Sequence, residues 1–574
     1  MTVYPSVVSP FGGIPAIAMV SFSVAFLAYR YRGAVDETGM ITRRAETAVI
    51  IILTISAFLL RGPGIGSTPP GLWVDEAVEG LQAGSAMVGE KLPYLPESNV
   101  VYPRWPVWWV LERVAVHFGG MSVSAIRLPA VIVGTLTVPL AWLVTRSLFG
   151  PLAGLVSASF LAFSFWHIQI SRIAVAPVLL VPELLLAFWF LFSRGIKRYR
   201  IVGIAAGILG IVSSLGYPAS LALTVYIFFV AMGRIFFPEK LSVDRAFGFW
   251  ILAGIGAVVL MLSLVPGIHL AERMGRINSV GLAPIMDMVA QGVRCVVNHF
   301  VSVASPGFIW DGFPPGAPRF SPVENIAWLS GIAGIFVVSG LALGTRLALL
   351  MAFPVLLLPE ILPGTSGGIY LVRGVASVGL ISVLAGLGAR MWGPAVGRAG
   401  LGVVLVVSAV SAWHSAGMTY GAFAGSDLSK RIYSSVAGEV ADGIRGLAAD
   451  RPVAVFPPLS YADNPQIAFH LWNEIRAGKV TMAANPPRED RAIAVYRDPA
   501  GKQPLVILVV SRNFVRDRIV GLLDVQGTMR DGQMMEMKAR LREAEDAYRL
   551  VSRLIPDYPQ AQRALKQVVQ KARK

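Results

Sequence analysis

About twelve stretches of this chain are apolar and long enough to cross, or nearly cross, a lipid bilayer. They lie near residues 14–29, 47–61, 126–146, 150–167, 175–193, 200–216, 219–236, 246–266, 326–343, 347–361, 369–389 and 398–415. A straight helical span needs about 17–25 residues. Inside hydrocarbon every backbone N–H and C=O must be paired within the segment, so such runs fold as helices. The expected architecture is a polytopic α-helical membrane protein. The overall balance agrees: 55% of residues are hydrophobic and 15% charged, against roughly 45–50% and 25% in soluble domains. A net charge of +16 would also suit a nucleic-acid binder. Here the Lys and Arg residues gather in short loops between apolar runs, as cytoplasmic loops do, so no nucleic-acid partner is expected. The single Cys295 excludes an internal disulfide and any multi-cysteine metal site. The opening MTVYPSVVSPFGG lacks the basic region of a cleavable signal peptide.

Every second loop is basic. The series runs from Arg30, Arg32, Arg43 and Arg44 through Arg146, the cluster Arg194, Lys197, Arg198 and Arg200, then Lys240 and Arg245, Arg346, Arg390 and Arg398. Facing these to the cytoplasm puts the N-terminus outside. The loops 62–125, 268–325 and 362–368, and everything after 415, then also lie outside.

The first external loop holds Trp73-Val74-Asp75-Glu76-Ala77 directly after an apolar run. Charges cost about 2.5–3.5 kcal/mol each at the centre of a membrane helix, so this pair sits where the chain emerges into water. Carboxylates there suit a general base or a metal ligand; an acidic first turn of a surface helix is the alternative. Helical periodicity runs from Asp75 to Val88, with Gly89 as a stop. After a proline-rich stretch, Trp105, Trp108 and Trp109 open a second amphipathic segment ending near Gly119, of the kind that anchors at a membrane interface. His167 through Arg172 closes the fourth run. The long loop 268–325 reads as a lid or binding loop, and Arg373 follows Gly367-Gly368 at the start of the eleventh run.

Beyond 417 the pattern changes. Val453–Phe456, Val480–Ala483, Ala492–Tyr496 and Leu505–Val510 read as short strands, with helices over 463–477 and 513–523, as in a small α/β domain. The tail 531–574 is helical and charged. No phosphate-binding glycine loop and no His/Cys zinc spacing occurs.

Taken in order, these motifs resemble the GT-C membrane glycosyltransferases, in the family-39-like branch near protein O-mannosyltransferases and the aminoarabinose transferase. The residues that carry the resemblance are Trp73 to Ala77 with Leu92-Pro93, Arg104-Trp105-Pro106-Val107-Trp108-Trp109, Arg127-Leu128-Pro129 with Leu148-Phe149-Gly150, and His167 through Arg172. It covers roughly residues 45–390. The chain departs from the family at Arg104 and Trp105, where a His and a Pro are usual, and at Tyr370, where a His often precedes the arginine by three residues. It also carries one extra early span.

With the apolar runs and the pattern beyond 417, the resemblance gives the expected fold: a GT-C-like membrane protein of about twelve spans with a small C-terminal extracytoplasmic α/β domain and helical tail. Its parts would be an extra N-terminal span and cytoplasmic loop (1–46), the transferase domain (47–416), the α/β domain (417–525) and the tail (526–574). It implies transfer of a sugar from a polyprenyl-phosphate donor to a lipid, glycan or protein acceptor at the outer face of the cell membrane. The candidate catalytic residues are Asp75 and Glu76, with Asp75 preferred as the base. The candidate substrate-binding residues are Arg104, His167, Arg172, Tyr370 and Arg373. The two arginines Arg172 and Arg373 suit the departing phosphate because a guanidinium pairs bidentately with oxyanions. The resemblance fixes no cofactor, and a divalent metal at Asp75 is left open. The rival readings are a lipid-linked sugar transporter or flippase, and a non-catalytic membrane scaffold.

Overall fold

The computed structural model describes residues 42–88, 106–192, Leu223, Tyr226, Val230, 320–339, Leu341, 343–361, 374–396, 400–423, Tyr433, 436–448, 453–456, 464–482, 489–497, 504–511, 520–524, Glu545, Tyr548, Arg549 and 559–572. The expected spans at 14–29, 200–216 and 246–266, most of 219–236, and the loop 268–319 lie outside them. The chain divides into two compact units. The first holds Met1–Thr68, Arg104–Leu111 and Arg127–Gly425; the second holds Pro69–Pro103, Glu112–Ile126 and Ser426–Lys574.

The helices in chain order are α1 (Arg43–Arg61), α2 (Val74–Val88), α3 (Pro106–Gly119), α4 (Val123–Phe149), α5 (Pro151–Phe163), α6 (Phe165–Ile170), α7 (Leu180–Phe192), α8 (Pro322–Val337), α9 (Leu343–Ile361), α10 (Ala376–Val396) and α11 (Gly400–Ala416). Helix α4 is long and apolar enough to cross a membrane, and shorter apolar helices accompany it. The run expected at 150–167 is two helices. The chain turns at Ser164, which adopts an extended conformation, and α6 restarts there.

The outer faces of these helices are inverted relative to a water-soluble protein. Ile51, Ile55 and Phe58 on α1, Leu128, Ile132, Leu136 and Leu143 on α4, Leu343, Leu347 and Met351 on α9, and Val406, Val410 and Trp413 on α11 are all exposed. Their spacing of three, four or seven residues makes continuous apolar stripes. Water would penalise such stripes; lipid tails do not. Between helices, the contacts use small residues and hydroxyls, the means available where no hydrophobic force drives association. A Cβ on Gly331 of α8 would fall 1.9 Å from the Leu384 carbonyl oxygen of α10, and one on Gly386 would fall 2.6 Å from the Ala153 oxygen of α5. Thr145, Ser157 and Ser382 form a hydroxyl chain across α4, α5 and α10, with separations of 3.0 and 3.3 Å. At the Arg146 end, Glu46 accepts from Trp142 Nε1 at 2.8 Å and from Arg146 Nε at 2.7 Å.

In the second unit, helices α12 (Val436–Ala448), α13 (Asn464–His470) and α14 (Trp472–Arg476) accompany five strands, and α15 (Pro559–Ala572) closes the chain. The strands are β1 (Val453–Phe456), β2 (Val480–Met482), β3 (Glu489–Arg497), β4 (Pro504–Ser511) and β5 (Val520–Asp524), in the order β2-β1-β5-β4-β3. Strand β1 is parallel to β2 and β5; β4 is antiparallel to β3 and β5. Of the helix expected over 513–523, residues 513–519 lie outside the described residues and 520–523 are strand instead: β5, with its Val-Gly-Leu-Leu-Asp segment, fills the slot between β1 and β4 with Ala454 beside Gly521.

Candidate functional site

Helix α2 carries the acidic pair. Trp73 starts it: its carbonyl accepts from Ala77 N–H at 3.1 Å, and its own N–H donates to Glu76 Oε2 at 2.9 Å. Glu76 therefore reaches back over the first turn, as the glutamate of a capping box does. The two neighbours, about 100° apart on the helix, have opposite environments. Glu76 is buried and Asp75 is exposed. Of the two expected catalytic carboxylates, Glu76 serves the helix start, and Asp75 is the one presented outward.

The rest of α2 is fixed by close packing inside the second unit. A Cβ on Gly80 would fall 2.7 Å from the Phe469 ring of α13, and one on Gly84 would fall 2.9 Å from Met121 and 3.1 Å from Trp472 of α14. The Gly80-x-x-x-Gly84 spacing places both on one side of α2, which lets two aromatic side chains of the C-terminal region lie flush against it.

In the first unit, three fully buried arginines gather around the segment 60–68. Arg172 donates from Nη1 to the carbonyls of Leu60 (3.1 Å) and Arg61 (2.7 Å), from Nη2 to those of Pro63 and Thr68 (both 2.9 Å), and from Nε to Thr68 (3.2 Å). Its remaining Nη1 direction meets Tyr420 Oη at 2.9 Å, and the guanidinium lies 4.9 Å over the Tyr420 ring. Tyr420 in turn donates to the Leu60 carbonyl at 2.9 Å. All the donors of Arg172 are taken by protein. Burial lowers its pKa to about 10, with Tyr420 opposing that shift and Arg127 adding to it, so it stays charged at neutral pH. Burial likewise raises the Tyr420 phenol, with Arg172 pulling it back. In this structure its fork holds backbone carbonyls and Tyr420.

Arg61 does the same for a neighbouring helix end. It donates to Ala57 O (3.0 Å), Leu161 O (2.8 Å) and Ala162 O (3.0 Å), and lies 2.9 Å from His167 Nδ1. Leu161 and Ala162 belong to the last turn of α5, whose carbonyls have no intrahelical partner. The negative end of the helix dipole supplies the counter-charge. His167 Nδ1 also lies 3.2 Å from the Leu161 carbonyl, so the tautomer decides whether it accepts from Arg61 or donates to Leu161. His167 is fully buried, and its ring is a wall of this cluster. Arg127 Nη1 adds a bond to Ile65 O at 3.0 Å. Gly134 completes the fit, since a Cβ there would lie 2.0 Å from Ser171 Oγ. The turn itself uses Gly64 at φ +64°, a conformation that favours glycine.

Arg104, Tyr370 and Arg373 lie outside the described residues. Trp108 is buried rather than interfacial. Sequence reading missed Arg61 and Tyr420. The signal for Arg61 was a basic residue closing an apolar run on the side where arginines are scarce; Tyr420 gave none. Among the described residues no three His, Cys, Asp or Glu side chains form a group that could hold a metal.

Residues 106–254 match the family of dolichyl-phosphate-mannose-protein mannosyltransferases. Among curated proteins none matches the chain in sequence. Similar solved structures include ArnT from Cupriavidus metallidurans bound to undecaprenyl phosphate, at 12% identity and TM-score 0.48, covering 76% of this chain and 90% of that one. Its apo state gives 12% and 0.46 over the same shares. The Archaeoglobus fulgidus oligosaccharyltransferase in the apo form gives 13% and 0.42, covering 77% of this chain and 65% of that one. Over residues 106–254, about a quarter of its length, the chain is thus similar in sequence to the dolichyl-phosphate-mannose-protein mannosyltransferases.

Proposed function

We propose that the protein is a membrane glycosyltransferase that moves a sugar from a polyprenyl-phosphate donor to an acceptor hydroxyl or amine at the extracytoplasmic face. The family match over residues 106–254 carries this reading. The exposed Asp75 at the head of α2 supports the assignment of the base. In this mechanism Asp75 takes the proton of the acceptor as its oxygen or nitrogen attacks the anomeric carbon. The bond from that carbon to the phosphate oxygen breaks on the opposite side, its electron pair leaves with the polyprenyl phosphate, and the anomeric centre inverts. A positioned base is worth about 10²–10⁴ in rate. With the Arg172 donors bonded to carbonyls, Arg373 is the remaining arginine proposed for the departing phosphate.

The test is transfer from a polyprenyl-phosphate sugar by the purified full-length protein in nanodiscs. Dependence on donor and acceptor, lost in Asp75→Asn, is the expected result. Movement of the donor across the bilayer without transfer would instead identify a flippase. Activity that survives chelation would leave Asp75 acting as a base without a metal.

A further inference from the structure

A second feature of the first unit is a cavity of about 210 Å³ between α5, α8, α10 and α11. Its two ends differ. At one end stand Leu152, Trp392 and Gly400; at the other stand Ser159, Glu324 and Ser411. Three contacts fix this polarity. Arg390 of α10 donates to the Leu148 carbonyl at 3.4 Å, which ties that part of α10 to the start of α5. Ser159 and Ser408 are hydrogen-bonded, which ties the second half of α11 to the end of α5. Phe320, at the head of α8, packs on Phe160 and Trp166 with ring centroids 5.4 and 5.8 Å apart. The wall contributed by α11, from Gly400 to Ser411, is about 16 Å long at 1.5 Å per residue. Trp392 and Ile326 on the rim are 52% and 67% exposed, so the cavity opens sideways through the apolar surface.

Glu324 is the unusual group. It is 2% exposed. Its Oε2 accepts from Ser321 N–H at 2.7 Å, closing the capping box of α8. Its Oε1 is buried in the cavity wall and has no hydrogen-bond partner among the described residues. A buried carboxyl oxygen left unmatched is costly, and the cavity is the direction from which a partner can come. The occupant must be a chain with a small polar head. A phosphate head fits poorly, because it would bring its negative charge into a wall whose lining residues include no Lys, Arg or His to pair it. A hydroxyl fits whichever proton state Glu324 holds, since it donates to a carboxylate and accepts from a carboxylic acid.

We propose that this cavity binds a hydroxyl-headed long-chain lipid entering from the bilayer, its hydroxyl on Glu324 Oε1 and its chain running toward Trp392. The ligand is distinct from the phosphate-bearing donor of the proposed reaction, and the site stands whether or not that reaction is correct.

The probe is a long-chain primary alcohol brominated at its far end, added to the full-length protein in phosphatidylcholine nanodiscs. Bromine quenches an indole that it touches, and the Trp392 contribution is isolated as the difference from Trp392→Phe. Saturable quenching of that contribution is expected. Glu324→Leu should weaken it about tenfold, and Val404→Phe, which fills the apolar end, by about as much. Glu324→Gln keeps the capping box and a polar group and should stay within about threefold of wild type. Should Glu324→Leu fail to fold, Val404→Phe and the anionic comparison decide. Quenching that rises linearly without saturation, equal affinity for the phosphate ester of the same alcohol, or indifference to Val404→Phe would each overturn the proposal.

Discussion

At the scale of single residues, adjacent and chemically similar side chains have been given different work. Asp75 and Glu76 are neighbours, yet one faces out and the other bonds the Trp73 N–H. Asp75→Asn keeps the shape but cannot take a proton, so transfer should fall by about 10²-fold or more with little change in thermal stability. Glu76→Gln should instead lower the melting temperature, by an amount equivalent to about 0.5–2 kcal/mol, and leave turnover per folded molecule near wild type. A dead Glu76→Gln beside a fully active Asp75→Asn would reverse the assignment. Arg172 gives the opposite lesson. Its motif was legible in the sequence but its role was not, because its partners are backbone carbonyls 104–112 residues away, and carbonyls leave no trace in side-chain spelling. Arg172→Lys removes the planar fork and strands several carbonyls, each at about 1–3 kcal/mol. The expected outcome is a loss of about 3 kcal/mol or more in unfolding measurements, with donor affinity unchanged in whatever folds. A selective loss of donor binding in a fully stable Arg172→Lys protein would return Arg172 to the phosphate.

At the scale of elements, helix positions were easier to read than helix ends and partners. The segments Val74–Val88 and Pro106–Gly119 fall where periodicity and Gly89 and Gly119 place them, because spacing of apolar residues is a local property. The break at Ser164 was invisible, since the apolar run passes through it without a change in composition. Nor could composition show why Gly80 and Gly84 stand in α2; the reason is Phe469 and Trp472, far along the chain. Adding side chains on that face should loosen α2. Gly84→Leu, whose Cβ alone would lie 2.9 Å from Met121, should expose Phe469 and Trp472 to solvent and raise protease sensitivity between α2 and α3. Unchanged protection and full transfer activity would mean that this packing is dispensable.

At the scale of the whole molecule, alternation of basic loops predicts the orientation of the chain, and Asp442 offers a test. Its side chain is 75% exposed. In a Cys295→Ala background, Asp442→Cys should react with a membrane-impermeant thiol reagent in intact cells. Labelling only after lysis would place the C-terminal region in the cytoplasm and remove the basis for an extracytoplasmic reaction. The packing of Gly80 and Gly84 on Phe469 and Trp472 also sets a schedule. Roughly 390 residues separate the two partners. A ribosome adding about 5–20 residues per second needs about 20–80 s to bridge that gap. Through that interval the nascent chain already has its acidic helix, with its glycine face uncovered. The helix bearing Asp75 reaches its final setting only when nearly the whole chain has been made, so a truncated product, even one with every transmembrane helix inserted, would be released with Asp75 unsupported.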